Sequence, residues 1–293
     1  MEYRKASHVR WQAIEHLPYF KEQPGYRTSI IRLDEDSVYD FRVVIKGKPI
    51  YESRFRTWKS DVPVAKTIEL DPDQVKYPIR IKAKGNSDGW IRYTIVKGKE
   101  LKNYGTTPTV IVDGASYVLI DDIVFKGPHR HEGAINVKNS KAVRIRNCEI
   151  SDWGRIGVMR FDKKGKPCVG ETIINFDGAI KVHPGSSEVV IERCYIHDAA
   201  GKTNTWRYAH PAGTEAVILY KPDHSTVLRY NDFVGSDRHR FNDAVESFGN
   251  FDKDGGVNRD ADIYGNFMAF CNDDCIELDG GQRNVRCFDN RFE

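Results

Sequence analysis

Two short segments concentrate carboxylates at spacings suited to acid–base work. FNDAVES (241–247) carries Asp243 and Glu246, and NDDCIEL (272–278) carries Asp273, Asp274 and Glu277. Both belong to a recurring pattern in which a small apolar residue precedes a branched one: Ala134-Ile135, Ala179-Ile180, Ala216-Val217, Ala244-Val245 and Cys275-Ile276. Laid in register, GAINV (133–137), GAIKV (178–182), EAVIL (215–219), DAVES (243–247) and DCIEL (274–278) bring Asp177, Glu215, Asp243 and Asp274 into or beside one outward column. A second column then holds Asn136, Lys181, Ile218, Glu246 and Glu277. Strands stacked about 4.8 Å apart would make these acids close neighbours. Like charges at that distance push one pKa up, which sets an acid beside a base at neutral pH. Breaking a glycosidic bond needs that combination: a protonated carboxyl for the leaving oxygen and a carboxylate for water or the anomeric carbon. The acids of these two segments, Asp243, Asp273, Asp274, Glu246 and Glu277, are the candidates for that work. Hydrolysis of this kind requires no cofactor.

Elimination from a uronate is the alternative, and it needs a basic residue and a charge neutraliser. Lys138, Lys181, His183 and Lys221 fall on or near the same face, and GSDRHRF (235–241) adds Arg238, His239 and Arg240. A basic half beside an acidic half suits an anionic polymer. Asp177, Lys181, His183, Glu215, Lys221, Arg238, His239 and Arg240 are accordingly read as substrate contacts. His210, in YAHPAG (208–213), joins them, as do the aromatic residues Trp153, Trp206, Tyr208 and Tyr220, which could stack on sugar rings. NFDKDGGVNRDAD (250–262) sets Asp252, Asp254, Asn258 and Asp260 around glycines, an oxygen-rich loop that suits Ca²⁺. Each feature also has a plain structural use: Asp caps turn amides, Lys solvates a surface, and Trp holds a loop down.

What positions these residues is a repeat. The pattern I-x-x-[C/N]-x-[I/F] recurs at Ile145…Cys148…Ile150, Ile191…Cys194…Ile196, Leu228…Asn231…Phe233, Ile263…Asn266…Met268 and Cys287…Asn290…Phe292, with a degenerate copy at Ile120…Ile123…Phe125. Successive copies are 25, 46, 37, 35 and 24 residues apart, and the shortest step fits one turn of a coil of short parallel strands. One turn cannot bury its apolar side alone, so stacking supplies the core. The column Asn231, Asn266 and Asn290 suits an inward amide ladder, and Cys148 and Cys194 in the same column read as small buried hydrophobes. YPIRIKAK (77–84) and TVIV (109–112) read as the first turns. The long insertions, about 151–175 and 197–213, leave from one corner and should wall one face of the coil; a single insertion, about 248–260, lies on the other side.

Residues 1–58 have a different rhythm. Runs at 3–14, 26–33, 39–47 and 49–58 read as strands of a β-sandwich. The expected domains are thus a partial sandwich over 1–58 and a solenoid over 62–293. The sandwich is expected to need about two more strands before residue 1, and the coil to continue beyond Glu293.

Composition removes other classes. Forty-five Lys and Arg against 42 Asp and Glu give a net charge of +3, which argues against binding nucleic acid by bulk charge. No apolar run reaches the roughly 18 residues of a membrane span. The first residues contain no signal-peptide core, so any leader would lie upstream. Six Cys without a CxxC leave the compartment open.

The repeat resembles the right-handed parallel β-helix of pectin-lyase-like proteins. That resemblance implies an all-β fold and a polysaccharide partner, handled by a glycoside hydrolase, by a lyase or epimerase, or by a non-catalytic surface adhesin. It further implies an extracellular or cell-surface monomer. FNDAVES and NDDCIEL are similar to the paired aspartate motifs of polygalacturonase-type hydrolases, which implies a catalytic trio of Asp243, Asp273 and Asp274. Asn242 and Asn272 depart from those motifs. In the first segment, Leu33 to Tyr39 resembles the tyrosine corner of fibronectin type III domains, and YRKASHVRW resembles their third strand.

Overall fold

The computed structural model describes the chain apart from residues 15–16, 22–23, 27, 130–132, 156–176, 202, 208–209 and 282. It divides into two compact units, Met1–Val62 and Pro63–Glu293. No helix among the described residues is long and apolar enough to cross a membrane.

In the first unit, β1 (Glu2–Lys5) pairs antiparallel with β2 (Gln12–Ala13) and with β5 (Val38–Ile45), and β5 pairs with β6 (Lys48–Arg56). A separate small hairpin joins β3 (Tyr19–Phe20) and β4 (Gly25–Tyr26). Two expected strands are corrected here. Residues 3–14 form a hairpin rather than one strand, because the chain turns after Lys5, where the His8 amide returns to the Lys5 carbonyl at 2.8 Å. Over 26–33, Tyr26 is the one described residue that lies in a strand. The corner hydrogen bond is present: the Asp34 amide donates to the Tyr39 hydroxyl at 3.0 Å. The guanidinium groups of Arg4 and Arg42 lie over the Trp11 ring, 4.5 and 4.1 Å from its centre.

The second unit is a coil of three parallel sheets. Among the described residues, sheet 1 has eight strands and runs from Val64–Leu70 to Arg286–Phe288. Sheet 2 has seven, from Leu101–Lys102 to Arg291–Phe292, and sheet 3 has six, from Ile79–Ile81 to Val245–Ser247. Each turn passes from sheet 3 to sheet 1 to sheet 2. The repeat read from sequence is the register of the coil. Ile120, Ile145, Ile191, Leu228, Ile263 and Cys287 are partners in sheet 1. Phe125, Ile150, Ile196, Phe233, Met268 and Phe292 are partners in sheet 2. Like stacks on like, and each fully buried aliphatic contributes roughly 1.5–3 kcal/mol.

From the second turn on, the corner between sheets 1 and 2 is built the same way each time. One residue takes a left-handed conformation: Asp122, Asn147, Arg193, Tyr230, Gly265 and Asp289, with φ between 53° and 65°. From the fourth of these on, the next residue is the column Asn. Asn266 Oδ1 accepts from the Asn231 amide at 3.0 Å and from Asn231 Nδ2 at 2.9 Å, while Asn266 Nδ2 donates to Leu228 O and Asn290 Oδ1. Cys148 and Cys194 are buried and unpaired by disulfide, and their thiols lie on backbone carbonyls instead. On the outer side of sheet 1, Asp121 bridges Arg92 and Arg146, and Glu192 bridges Arg229 and Arg193, so ion pairs also run between turns.

Replacing Asn266 by Ala leaves the buried Asn231 amide and the Leu228 carbonyl without partners. At about 1–3 kcal/mol for each stranded group, Asn266→Ala should lower unfolding stability by roughly 3 kcal/mol in urea denaturation. A loss below about 1 kcal/mol would show that the amide ladder does not hold the turns.

Candidate functional site

Sheet 3 positions the site. Ile135, Ile180, Val217 and Val245 are register partners facing the core, and Ile276 bridges to Val245. The following residues, Asn136, Lys181, Ile218 and Glu246, therefore form one column. The Glu277 amide reaches the Val245 carbonyl at 2.9 Å, which brings Glu277 beside Glu246. Gly178 pairs with Glu215, and the Ala216 amide donates to Ala244 O, which sets Glu215 beside Asp243. The strands of 133–137, 178–182, 215–219 and 243–247 adopt the register expected from sequence, with Asp177 paired to Thr214, one position before Glu215. Exposure differs from expectation, however: Asp177, Lys181, Glu215, Asp243 and Glu246 are all at most 5% exposed.

Three carboxyl groups converge. Oxygens of Asp243, Glu246 and Glu277 lie within 4.8 Å of one another, with the first two buried and Glu277 half-buried. Asp243 Oδ1 accepts from the Asp274 amide at 2.7 Å and Oδ2 from Asn242 Nδ2 at 2.8 Å. Glu246 Oε1 accepts from the Ser247 amide, and Glu277 Oε1 from Asn250 Nδ2 at 2.6 Å. Burial pushes Glu246 up to about 12, reinforced by its hydrogen bonds to Glu277 and Asp243. Burial raises Asp243 to about 6, opposed by the hydrogen bonds it accepts. At neutral pH Glu246 therefore holds a proton and Asp243 is mostly ionised. The cluster has the elements of acid–base catalysis, and its three oxygens would equally suit a hard divalent cation.

Glu215, beside Asp243, is fully buried, with no hydrogen-bond partner for either carboxyl oxygen among the described residues. Burial lifts its pKa well above the usual range, and the charges of Asp177 and Asp243 add to the rise, while Lys181 opposes it. Asp177 is fully occupied: Arg155 binds it through its amide, Nε and Nη2, the last at 2.6 Å. This Arg155 clamp was invisible to sequence reasoning because it sits at the start of a long insertion.

Other candidates fall elsewhere. Asp273 does not join the trio; it holds the wall, accepting from Trp206 Nε1 at 3.2 Å and facing His210 Nε2 at 3.4 Å. Asp274 is exposed, and its backbone rather than its side chain reaches Asp243. Trp206 is 60% exposed with His210 against its ring, so an aromatic surface does stand at the wall. Trp153 is instead fully buried, stacked on Phe241 with its indole N–H on Asp177 O, and it anchors the insertion from inside the core. His183 packs edge-on against Tyr220, Lys221 pairs with Asp252 at 2.7 Å, and His239 bonds Ala199 O. Arg240 pairs with Asp237 over the Phe270 ring, and Arg238 is exposed. Tyr208 lies outside the described residues.

The oxygen-rich loop does not gather into one ligand set. Asp252 faces Lys221, Asp254 and Asn258 face Arg283, and Asp260 accepts from Asn284. These oxygens are paired with Lys221, Arg283 and Asn284 of the turns on either side. Asn242 and Asn250, unassigned in the sequence reading, prove to orient Asp243 and Glu277.

The family model for the right handed beta helix region matches residues 108–293. The chain belongs to this family. Among solved structures, the alginate lyase from Paenibacillus sp. str. FPU-7 is similar at 13% identity and a TM-score of 0.35, covering 78% of this chain and 96% of that one. No curated protein matches the chain.

A carboxyl whose pKa is raised on folding stabilises the fold fully below its unfolded pKa, and that stability fades as pH rises. For Glu246 this window runs upward from about 4.5. Glu246→Gln keeps the shape and removes the titration, so it should be more stable than the parent above pH 5. The gap should widen towards pH 8 by at most about 1.4 kcal/mol per unit. Parallel stability–pH curves for the two proteins would refute a buried proton on Glu246.

Proposed function

We propose that this β-helix cleaves a polysaccharide lying along sheet 3, as a glycoside hydrolase. The observation that carries the reading is the convergence of Asp243, Glu246 and Glu277 with a proton held on Glu246. Glu246 would donate that proton to the leaving glycosidic oxygen. Glu277, the more accessible of the two partners, would attack the anomeric carbon, and the Asp243 carboxylate would orient Glu246 and face the developing positive charge. Oxygens within 4.8 Å favour a retaining mechanism, in which the carboxyl groups are close and no water stands between them. Trp206 and His210 would hold a sugar ring at the wall. The tyrosine-corner bond in the first unit supports a fibronectin type III-like module, and an extracellular or cell-surface setting would suit such a protein.

One observation favours a second reading. The same three carboxylates could bind Ca²⁺ or another hard cation that neutralises a uronate, making the protein a lyase or epimerase with a basic residue such as Lys181 as base.

The test is incubation with neutral and acidic polysaccharides, reading both new reducing ends and the ultraviolet absorbance of unsaturated uronates. Hydrolysis predicts reducing ends without absorbance, unaffected by a chelator, and a loss of about 10²–10⁴-fold in Glu246→Gln and Glu277→Gln. Because Asp243 must be ionised, the rate should rise with pH through about 6, and Asp243→Asn should abolish that limb. Absorbance that requires a divalent cation would instead establish the lyase.

A further inference from the structure

The outer face of sheet 3 carries a second column, one that the carboxyl cluster does not use. Val182, Leu219 and Ser247 are register partners, and the amides of His183, Tyr220 and Phe248 continue the ladder onto Val137 O, Val182 O and Leu219 O. Side chains alternate along a strand, so these three rings stand on the same face as Lys181, Ile218 and Glu246, two residues before them. They form a row. The ring centres of His183 and Tyr220 are 6.2 Å apart and those of Tyr220 and Phe248 5.9 Å, each pair edge-on. Tyr220 is 41% exposed. Phe251 extends the row: its amide donates to Asp279 O of the next turn at 2.9 Å, and the residue is 90% exposed. Its neighbours fix its place. Asn250 holds Glu277 at 2.6 Å, and Asp252 pairs at 2.7 Å with Lys221, the residue after Tyr220. Phe251 takes a φ of 63°, in the left-handed region that a bulky residue rarely enters. An exposed ring held at that cost contributes little to packing, and such strain collects where function requires it.

We propose that His183, Tyr220, Phe248 and Phe251 are a row of saccharide-binding positions that carries a linear polysaccharide past the carboxyl cluster. The C–H bonds on the face of a sugar ring carry slight positive charge and pack on the negative face of an aromatic ring. A solenoid repeats its surface along its axis, so one aromatic per turn suits a polymer that repeats one ring per unit. Phe251, at the tip of its loop, is the most accessible of the four, and it lies one residue from the side chain that orients Glu277. The proposal rests on the polysaccharide reading but not on the kind of cleavage.

The test is affinity electrophoresis of the full chain in gels containing polygalacturonate, hyaluronan, xylan or carboxymethyl cellulose, beside cleavage assays on the same polymers. At least one polymer should retard the protein. Tyr220→Ala and Phe251→Ala should each weaken that affinity roughly tenfold, and in the cleavage assay each should raise KM with kcat unchanged. Tyr220→Phe, which keeps the ring, should restore the affinity. Tyr230→Ala, which removes a 49% exposed ring from the corner between sheets 1 and 2, should leave it unchanged. Phe251→Ala removes so little buried surface that its thermal unfolding should match the parent, which separates lost binding from lost folding. Unchanged affinity in either alanine variant would overturn the row and leave a polysaccharide-cleaving enzyme in place. Affinity lost in the variants of a protein that cleaves none of the polymers would sink the hydrolase reading and keep the row. A parent retarded by no polymer would overturn both.

Discussion

From its second turn on, this coil changes direction between sheets 1 and 2 at a single left-handed residue, and that constraint governs much of the rest. The residue must enter the left-handed region, which costs a non-glycine side chain about 1 kcal/mol. It also leaves the following amide facing inward, where water cannot serve it. In the last turns a column of asparagines solves the second problem, because each side-chain oxygen serves the amide one turn before it. Nearer the start, cysteine takes the same position and its thiol rests on the chain's own carbonyls. With the corner fixed, the register of sheets 1 and 2 follows, and the aliphatic stacks align without further instruction.

Sheet 3 inherits that alignment and uses it differently. Several of its outer residues, Lys181, Ile218 and Glu246 among them, are buried, so charges that would be dispersed by water are confined. The protein answers with protons and clamps. Glu246 holds its proton, burial raises Glu215 well above the usual carboxyl range, Arg155 neutralises Asp177, and the Asp274 amide points at Asp243. A fold selected only for stability would have little use for four acids pressed together under cover. The cost of keeping them there supports a chemical role, since unfavourable polar clusters concentrate where function requires them.

The periodic part of this architecture was legible in sequence, because one residue type per column is what stacking demands. The acid columns of 243–247 and 274–278 were legible for the same reason. Burial was not, because cover comes from chain segments whose lengths say nothing of where they lie. Asp273 and Asp243 look alike in sequence, yet one holds a wall and the other joins the cluster. Trp153 and Trp206 both lie in insertions, yet one is fully buried and the other exposed. The first unit hid its hairpin in the same way: 3–14 alternates well enough for one strand, and the turn after Lys5 breaks it.

The corner has a consequence for how such a site can change over time. Asp243 and Glu246 come from one turn and Glu277 from the next, so the distances among them are measured out by the pitch of the coil. A backbone locked at its corners works as a ruler with fixed graduations. Side chains can be exchanged at any mark, and whole turns can be added or removed, but nothing can slide by half a division. New specificities in this scaffold should therefore arise by rewriting letters at set positions and by exchanging the loops that rise from one corner, while the graduations beneath them stay as they are.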